Sequence, residues 1–339
     1  MARRVRRGAT LQEIAQEAGV SVATVSRVAR GIGQVSDDTR RRVLAAIDRH
    51  DFRPSRLGRA LAERSHGALG IVFPGLSGPY YSEVISGFEE EAVHAEMAVI
   101  ILGTHLLRES GELVRDTAAR VDGLAVMGGV LADGLVERLR DRGDPIVQLA
   151  GRPRAGLPTV RTENVAVFDR LTRHLLSDHG YERVRFLGDP DASPDAAYRW
   201  QGFAQAHRHA GAGEPAGPVR IGLMQSDGYI AVSRLQAAGP LPRALACAND
   251  ETAIGAVLAL LDMGLRVPQD VAVTGFDDIP MAGLPASGLT TVHQPMRELG
   301  METARLLLRQ IENDTQGAVD RVLETQLVIR GSCGCGIPA

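Results

Sequence analysis

Residues 10–49 carry three short helical patterns, and only a tight turn separates the first pattern from the second. Thr10 and Glu13 have the spacing of a capping box, in which the threonine oxygen accepts from an early amide and the glutamate reaches back. Gly19 follows the last apolar residue of the first pattern, where a left-handed residue commonly ends a helix. Ser21 can cap a second helix almost at once. Two closely spaced short helices are therefore expected near the N-terminus.

The second helix, Val22–Arg30, separates apolar residues from polar ones. Val25, Val28 and Ala29 recur on the face that is expected to pack inward. Five residues remain for the outer face: Ala23, Thr24, Ser26, Arg27 and Arg30. Short polar groups and guanidinium groups of this kind match the donor and acceptor pattern of a DNA major groove.

A third helical pattern begins at the cap residue Ser36, and its apolar stripe consists of Val43, Leu44 and Ile47. Two short helices that are joined by a tight turn and braced by a third form a helix-turn-helix. The N-terminal region is therefore predicted to bind DNA. A small helical bundle that binds nothing is the alternative.

Charge is distributed unevenly along the 339 residues. Residues 1–65 hold 14 Arg against 7 Asp and Glu, a net of +7, so the rest holds 24 Arg against 34 acids, a net of −10. A basic head on an acidic body is typical of a nucleic-acid module attached to a sensor domain. A solvated basic tail would show the same imbalance.

The segment Leu11–Val28, together with Val35-Ser36, Thr39-Arg40 and Arg53-Pro54, resembles the N-terminal motif of the LacI/GalR family of transcriptional regulators. The resemblance implies that Val22 and Ala23 read bases. It further implies that Thr24, Ser26 and Arg27 contact bases or phosphates, and that Thr10, Ser21 and Thr39 contact phosphates. Arg30 is also assigned to the DNA contacts, although it departs from the family, which usually has asparagine at that position.

Residues 53–65 are predicted to form a hinge after the DNA-binding domain, which covers residues 1–52. Ser55–Ala62 is one short potential helix, and eight residues cannot hold a helix alone in water. The resemblance implies that the segment pairs with its copy in a homodimer and enters the minor groove, where Leu61 wedges into the central base step. The positions that would contact DNA are Ser55, Gly58 and Leu61. Gly58 stands where the family usually has alanine, and a plain linker is the alternative.

From residue 66 onward, strand patterns alternate with helical ones, which is typical of doubly wound α/β sheets. Ten strands are predicted: Leu69–Pro74, Ala98–Gly103, Gly123–Met127, Pro145–Ala150, Val184–Gly188, Arg220–Leu223, Ala244–Ala248, Val271–Phe276, Leu289–Val292 and Gln326–Arg330. One sheet of this type rarely holds so many, so residues 66–339 are interpreted as two lobes of parallel sheet. Lobe one is assigned about 66–161 and 293–323, and lobe two about 162–291 and 324–331.

Polar residues follow several predicted strands, where ligands of α/β folds bind. Ser77, Tyr80 and Tyr81 follow the first strand, and Asn249 and Asp277 follow two later ones. Aromatic rings with an amide and a carboxylate suit a hydroxyl-rich small molecule. Asn249 and Asp277 would also be explained as plain helix caps.

Residues 199–203, 248–251, 267–280 and 289–295 are similar to the effector domain of the same family, which is itself similar to periplasmic sugar-binding proteins. This likeness implies that Arg199, Asn249 and Asp277 bind an effector from one lobe and that Ser77, Tyr80 and Tyr81 bind it from the other.

Two positions of the implied effector site differ from the family pattern. Leu223 replaces a common stacking aromatic residue, and Glu163 replaces a usual aspartate. Asp191 and Asp195 surround Arg199 with acids, which disfavours an anionic effector. The expected ligand is a sugar or another neutral polyol.

The predicted function is a cytoplasmic, nucleoid-associated repressor that acts as a homodimer, binds a palindromic double-stranded operator and is released by the small molecule. A solute-binding protein without a regulatory role, and a corepressor-type regulator that binds a nucleoside or purine, are the alternatives. No phosphate-binding loop, nucleophile elbow or His-Glu-x-x-His motif is present, so an enzyme is not expected. No cofactor, metal or membrane partner is expected.

The three cysteines are too few for a disulfide framework. Cys247 is expected to be an inert core residue. Cys333 and Cys335 form a Cys-Gly-Cys that could bind a metal, but a frayed terminus is the favoured interpretation. The nine histidines show no spacing that indicates a metal site.

Overall fold

The structure is a computed structural model, and it describes residues 9–29, 33–50, 52, 65–107, 110–284, 288–313, 317 and 319–336. The chain divides into two compact units, residues 1–67 and residues 68–339. Each unit has its own hydrophobic core.

In the described part of the first unit there are three helices, α1 (Leu11–Ala18), α2 (Val22–Ala29) and α3 (Asp37–Arg49). The capping box is present, with the Thr10 and Glu13 side chains each accepting from the other's backbone N–H, and Gly19 has a φ of 64°.

The three helices enclose a small core made by eight residues: Ile14, Ala15, Ala18, Val25, Val28, Val43, Ala46 and Phe52. One prediction about this core was wrong, because Leu44 is 45% exposed and Ala46 is buried in its place. Leu44 follows Val43 and is rotated from it by about 100° around the helix axis, which is enough to turn its side chain away from the small core.

The second unit contains a six-stranded parallel sheet in the order β10-β5-β4-β3-β1-β2. Its strands are β1 (Ala68–Phe73), β2 (Ala98–Gly103), β3 (Gly123–Met127), β4 (Ile146–Leu149), β5 (Thr159–Thr162) and β10 (Asp320–Leu323). Every residue of β1 and β4 is buried, as expected of strands that are covered on both faces. This sheet is the frame of lobe one.

A second parallel sheet, in the order β6-β7-β8, is the frame of lobe two. Its strands are β6 (Val184–Leu187), β7 (Ala244–Cys247) and β8 (Ala272–Thr274), and an antiparallel pair lies beside them, β9 (Thr291–His293) and β11 (Gln326–Val328). The fully buried Cys247 lies on β7, as predicted.

Helices connect these strands. Lobe one carries α4 (Pro79–His94), α5 (Ser110–Ala118), α6 (Asp133–Asp141) and α11 (Met296–Ile311), and lobe two carries α7 (Val165–Arg173), α8 (Pro194–His209), α9 (Gln225–Ala238) and α10 (Asp250–Asp262). The helix α7 continues into one π-helical turn, His174–Asp178. Short 3₁₀ turns occur at Pro280–Gly283 and Gly331–Cys333.

Nine of the ten predicted strands overlap strands of the structure, and Arg220–Leu223 does not. Only Val219 forms an isolated bridge, to Leu187. The next residues lead into α9, where the Asp227 carboxylate accepts from the Met224 N–H and lies against Gly222. The contacts that begin α9 therefore prevent residues 220–223 from forming the strand that their apolar pattern predicts.

Two strands, β5 and β10, are absent from the sequence prediction. They pair with each other at one edge of the large sheet, and Arg161 of β5 makes a bidentate ion pair with Asp320 of β10 at 2.9 and 2.8 Å. Charged residues in short strands weaken the period-two pattern by which strands are recognised.

The helices α4 and α11 touch through backbone at two glycines. A Cβ on Gly87 would lie 1.9 Å from the Arg297 carbonyl oxygen, and one on Gly300 would lie 2.0 Å from the Val84 carbonyl oxygen. Because only glycine permits this distance, the helix that leads away from the first strand is held firmly against lobe one. Among the described residues, no helix is long and apolar enough to span a bilayer.

Candidate DNA-binding and effector sites

The outer face of α2 presents the residues that the sequence assigns to base contacts. Val22 is 41% exposed despite being apolar, and Ala23 and Arg27 are also exposed. Thr24 and Ser26 are half-buried at the margins of the same face. A small hydrophobic residue, an alanine and a guanidinium on one open helix face can contact a thymine methyl group and base-edge acceptors.

The three residues expected to contact phosphates lie at helix N-termini. The Ser21 hydroxyl accepts from the Thr24 N–H at 3.2 Å. The Thr10 hydroxyl accepts from the Glu13 N–H at 3.3 Å, and the Thr39 hydroxyl accepts from that of Ser36 at 3.0 Å. Helix N-termini carry the positive end of the helix dipole, which favours an anion nearby. The other DNA-contact predictions, Arg30, Ser55, Gly58 and Leu61, lie outside the described residues.

Arg199 is the centre of the predicted effector site, and it is 95% buried on α8. Its Nε donates to the Asn164 side-chain oxygen at 2.8 Å, and its Nη1 donates to the Ala248 carbonyl oxygen at 2.6 Å. Its Nη2 lies 3.8 Å from a carboxylate oxygen of Asp277. These contacts hold a positive charge at the carboxyl ends of β6, β7 and β8, where the polar residues were expected.

Asp277 is buried and has a φ of 117°, which is rare for a residue other than glycine. The Gln294 amide donates to its carboxylate at 2.5 Å. Burial raises the pKa of Asp277 to about 7, although Arg199 and the Gln294 hydrogen bond both act to lower it. A strained backbone and a raised pKa at one buried carboxylate are typical of a functional position.

Tyr80 and Tyr81 of lobe one lie close to the carboxylates of lobe two. Burial raises the pKa of Tyr80 well above 10, and Asp195 and Asp277 raise it further. Burial also raises the pKa of Tyr81 to about 12, with smaller contributions from Asp277, Glu251 and Asp195. The two rings meet edge to face, with centroids 5.4 Å apart. The structure thus brings the predicted tyrosines together with Arg199 and Asp277.

Two other predicted effector residues cap helices. The Asn249 side-chain oxygen accepts from the Thr252 N–H at 3.1 Å, and its amide donates to the Leu223 carbonyl oxygen at 2.9 Å. The Glu163 carboxylate accepts from the N–H groups of Ala166 and Val167 at 2.7 and 2.9 Å. Asn249 therefore matches its alternative interpretation as a cap, and it contacts the loop of Leu223 at the same time.

The two remaining predicted effector residues are less enclosed. Leu223 is half-buried against the core of lobe two, and Ser77 is exposed in the loop that leads into α4.

Three residues of the site were not predicted to contact Arg199 or Asp277. Asn164 and Gln294 fix the two charged groups, and the Phe276 ring lies beneath the Arg199 guanidinium at 3.6 Å. Gln294 directly follows β9 and Asn164 follows β5 by two residues, so the strand-end rule that identified Asp277 applies to both of them.

The chain matches two family models. Residues 10–55 match bacterial regulatory proteins of the lacI family, and residues 172–333 match a periplasmic binding protein-like domain. The chain is also 31% identical, over 96% of its own length and 96% of the relative's, to the HTH-type transcriptional repressor CytR of Escherichia coli K12. It is 30% identical to the repressor PurR of Haemophilus influenzae PittEE, over 96% of this chain and 98% of that one.

Solved structures agree with these matches. The lac repressor dimer bound to operator and the anti-inducer ONPF superposes with a TM-score of 0.86 at 24% identity, covering 96% of this chain and 99% of that one. The complex of the transcriptional regulator CelR with cellobiose superposes with a TM-score of 0.71 at 28% identity, with the same coverage. The chain therefore belongs to the lacI family of bacterial regulatory proteins. It is a DNA-binding transcriptional regulator that joins a helix-turn-helix domain to a periplasmic-binding-protein-like domain, and the relatives named above are regulators rather than enzymes.

Proposed function

We propose that this chain is a repressor that binds a near-palindromic operator as a homodimer and leaves it when a neutral, hydroxyl-rich small molecule binds between the lobes. Residues 1–52 are the DNA-binding domain, residues 53–65 the connector and residues 66–339 the effector unit. The observation that carries the effector half is the convergence of Arg199 and Asp277 with Tyr80 and Tyr81, which come from separate lobes.

The DNA half of the proposal is supported by the open face of α2 and by the net charge of +7 on residues 1–65. In a dimer, two copies of this face would enter successive major grooves about one helical turn apart. The basic residues around them would supply affinity that depends on salt, because phosphate contacts release counterions.

A neutral ligand is favoured by the charges in the cleft. Asp277 and Asp195 contribute negative charge there, and they oppose an anionic ligand. The Nε and Nη1 groups of Arg199 already donate to protein atoms, so they do not remain free for a phosphate or carboxylate. Ligand hydroxyls can donate to Asp277, while the tyrosine rings pack against an apolar sugar face. The cellobiose bound to the similar regulator CelR supports a sugar as the class of ligand.

Release would follow because the ligand touches both lobes. Closing the lobes on a ligand changes their relative angle, and Leu61 and the rest of the connector need a matching partner to stay ordered. A coupling free energy of about 1–3 kcal/mol is usual for such a link, and operator must weaken ligand binding by the same factor.

The proposal is tested by selecting duplexes from a random library with the purified full-length chain, and by then screening neutral sugars and nucleosides for thermal shifts. A selected near-palindrome and a sugar that lowers its affinity about 5- to 150-fold are expected. Fluorescence anisotropy of the labelled duplex, with and without the sugar, measures this change.

Three outcomes would count against parts of the proposal. Failure to select any duplex at moderate salt would contradict the regulatory role. If a nucleoside tightened operator binding, the chain would be a corepressor-dependent repressor, and the proposed release by ligand would be wrong. A ligand that binds equally well to an Arg199→Met variant would move the effector site away from the cleft.

A further inference from the structure

Two histidines and two cysteines of lobe two lie close together in space, although the pair of histidines is far from the pair of cysteines in the sequence. His174, His179, Cys333 and Cys335 each offer one ligand atom, and the four atoms all lie within 4.8 Å of one another. The expectation of a frayed terminus was wrong for this segment, because Cys333 is fully buried in the turn Gly331–Cys333. We propose that these four side chains form a tetrahedral zinc site that fastens the C-terminal segment to the end of α7.

Four of the six distances between the ligand atoms lie close to the edges of a zinc tetrahedron, and the other two are within 4.8 Å. With ordinary Zn–N and Zn–S bond lengths, the edges are about 3.3 Å between two nitrogens and about 3.6 Å between nitrogen and sulfur. The two Nε2 atoms of His174 and His179 are 3.2 Å apart. The His174 Nε2 lies 3.4 Å from the Cys333 Sγ and 3.5 Å from the Cys335 Sγ, and the His179 Nε2 lies 3.4 Å from the Cys335 Sγ.

Hydrogen bonding explains this cluster poorly. The His174 Nε2 approaches three other polar atoms, but an imidazole nitrogen carries either one proton or one lone pair. Its Nδ1 lies 2.8 Å from an Asp178 carboxylate oxygen. A proton held on Nδ1 by this carboxylate leaves the lone pair of Nε2 for a metal, which is the usual arrangement around histidine ligands of zinc.

The π-helical turn explains how the two histidines meet. They are five residues apart, and in an α-helix such residues point in different directions. The His179 N–H donates to the His174 carbonyl oxygen, which is the five-residue spacing of a π-helix and aligns the two side chains. Single π turns occur frequently at functional sites. This turn also explains why the helical spacing rules did not indicate a metal site in the sequence.

The cysteines are positioned by contacts that do not involve the metal. The Tyr181 hydroxyl donates to the Cys333 carbonyl oxygen at 2.8 Å, and the Ser332 hydroxyl donates to the Val273 carbonyl oxygen at 2.6 Å. These bonds hold the C-terminal segment against lobe two, so the ligand set is largely preformed. Two thiolates and two imidazoles in a tetrahedron are the ligand set of a structural zinc site.

Zinc content of the full-length chain tests the proposal. Untagged protein that is purified under reducing conditions, loaded with zinc and dialysed should retain about one zinc per chain by mass spectrometry. Cys335→Ser and His179→Ala should each lower retention at least tenfold. Cys247→Ala and His209→Ala change the same residue types outside the cluster, and both should retain zinc as the parent does.

A second measurement does not depend on whether the variants fold. Co²⁺ added to the reduced parent should produce the intense visible bands of tetrahedral cobalt and a near-ultraviolet thiolate charge-transfer band, and zinc should displace both. Zinc in excess should also raise the thermal midpoint of Trp200 fluorescence by about 5–10 °C. The proposal is overturned if cobalt gives only the weak bands of octahedral coordination, or if Cys335→Ser and His179→Ala retain as much zinc as the parent. It is also overturned if a Cys333–Cys335 disulfide survives treatment with reductant and zinc.

Discussion

The guanidinium of Arg199 lies over the ring of Phe276, with its Cζ 3.6 Å from the ring centroid. Phe276 in turn stacks on Phe168 at 6.2 Å with an interplanar angle of 21°. Hydrogen bonds to Asn164 and to the Ala248 carbonyl oxygen fix the edge of the same guanidinium. The Phe276 ring and these hydrogen bonds therefore fix the position of the guanidinium in the absence of ligand. A site that is preformed in this way loses less conformational entropy when a ligand binds.

Arg199→Lys is expected to lower the free energy of unfolding by about 2–3 kcal/mol, although it keeps the charge. An ammonium cannot donate along the planar fork that Asn164 and Ala248 require, so buried acceptors lose their donors. Urea unfolding followed by the fluorescence of Trp200, the single tryptophan, measures the loss in this lobe. The matched change Arg220→Lys, at an exposed arginine paired with Asp189 and Asp191, should leave the midpoint unchanged. Equal losses in the two variants would contradict the special role of Arg199.

The stability of lobe two is expected to fall with rising pH because of Asp277. Burial raises its pKa from 3.8 to about 7, so the folded chain binds more protons than the unfolded chain between these two values. Stability then decreases as pH rises through this window and stays level above it. Asp277→Asn keeps an acceptor for Gln294 and removes the titration. Subtracting its unfolding free energy from that of the parent cancels the groups that do not interact with Asp277, and a flat difference from pH 4 to 7 would refute the assignment.

The pH dependence should extend to the effector if the proposed function is correct. A ligand hydroxyl that donates to Asp277 requires the carboxylate form, so affinity should fall as pH falls through about 7. Isothermal titration at several pH values measures this, and Tyr81 will not interfere because its pKa is raised to about 12. An affinity that stays constant from pH 8 to 6 would place the ligand away from Asp277.

The sequence predicted the regular elements of the fold. Strands that are buried on both faces, such as β1, are continuous apolar runs, and helices that pack on one face, such as α11, have apolar residues at helical spacing. It predicted less well where one local interaction decides the outcome. The edge strand β10 is joined to its neighbour β5 by the Arg161–Asp320 ion pair, and the chain at residues 220–223 is bent by the start of α9.

The candidate sites show the same division. Asp277 could be found because polar residues at strand ends are conspicuous, and Arg199 could be found through the resemblance to the family's effector domain. The hydrogen bonds that Asn164 and Gln294 make to these two residues depend on which strands become neighbours, so the sequence did not predict them. The cluster around His174 and Cys333 is harder still, since it joins residues 159 positions apart through a π turn that has no simple sequence pattern.

The crossing of α4 and α11 gives a test of packing in lobe one. Gly87→Ala places a methyl group 1.9 Å from the Arg297 carbonyl oxygen, so the helices must move apart, and a loss of about 1–3 kcal/mol is expected. Gly134→Ala is the matched control, because its Cβ meets only the end of the Arg138 side chain at 3.5 Å. Alanine there should stabilise α6 slightly through its higher helix propensity. Thermal unfolding by circular dichroism should move in opposite directions for the two variants, and parallel shifts would contradict the backbone contact.

Different substitutions on the outer face of α2 are expected to change either the affinity for the operator or the choice of operator sequence. Arg27→Ala should weaken binding to a selected operator about 10- to 100-fold, which is the usual effect of losing one good base or phosphate contact. Val22 and Ala23 contact only base edges in the proposal, so exchanging the two residues should alter which duplexes are selected while the salt dependence stays the same. Arg234→Ala on α9 removes the same charge from the other unit and should change neither property. If Arg27→Ala and Arg234→Ala weaken binding equally, net charge alone explains the effect, and α2 does not lie in the groove.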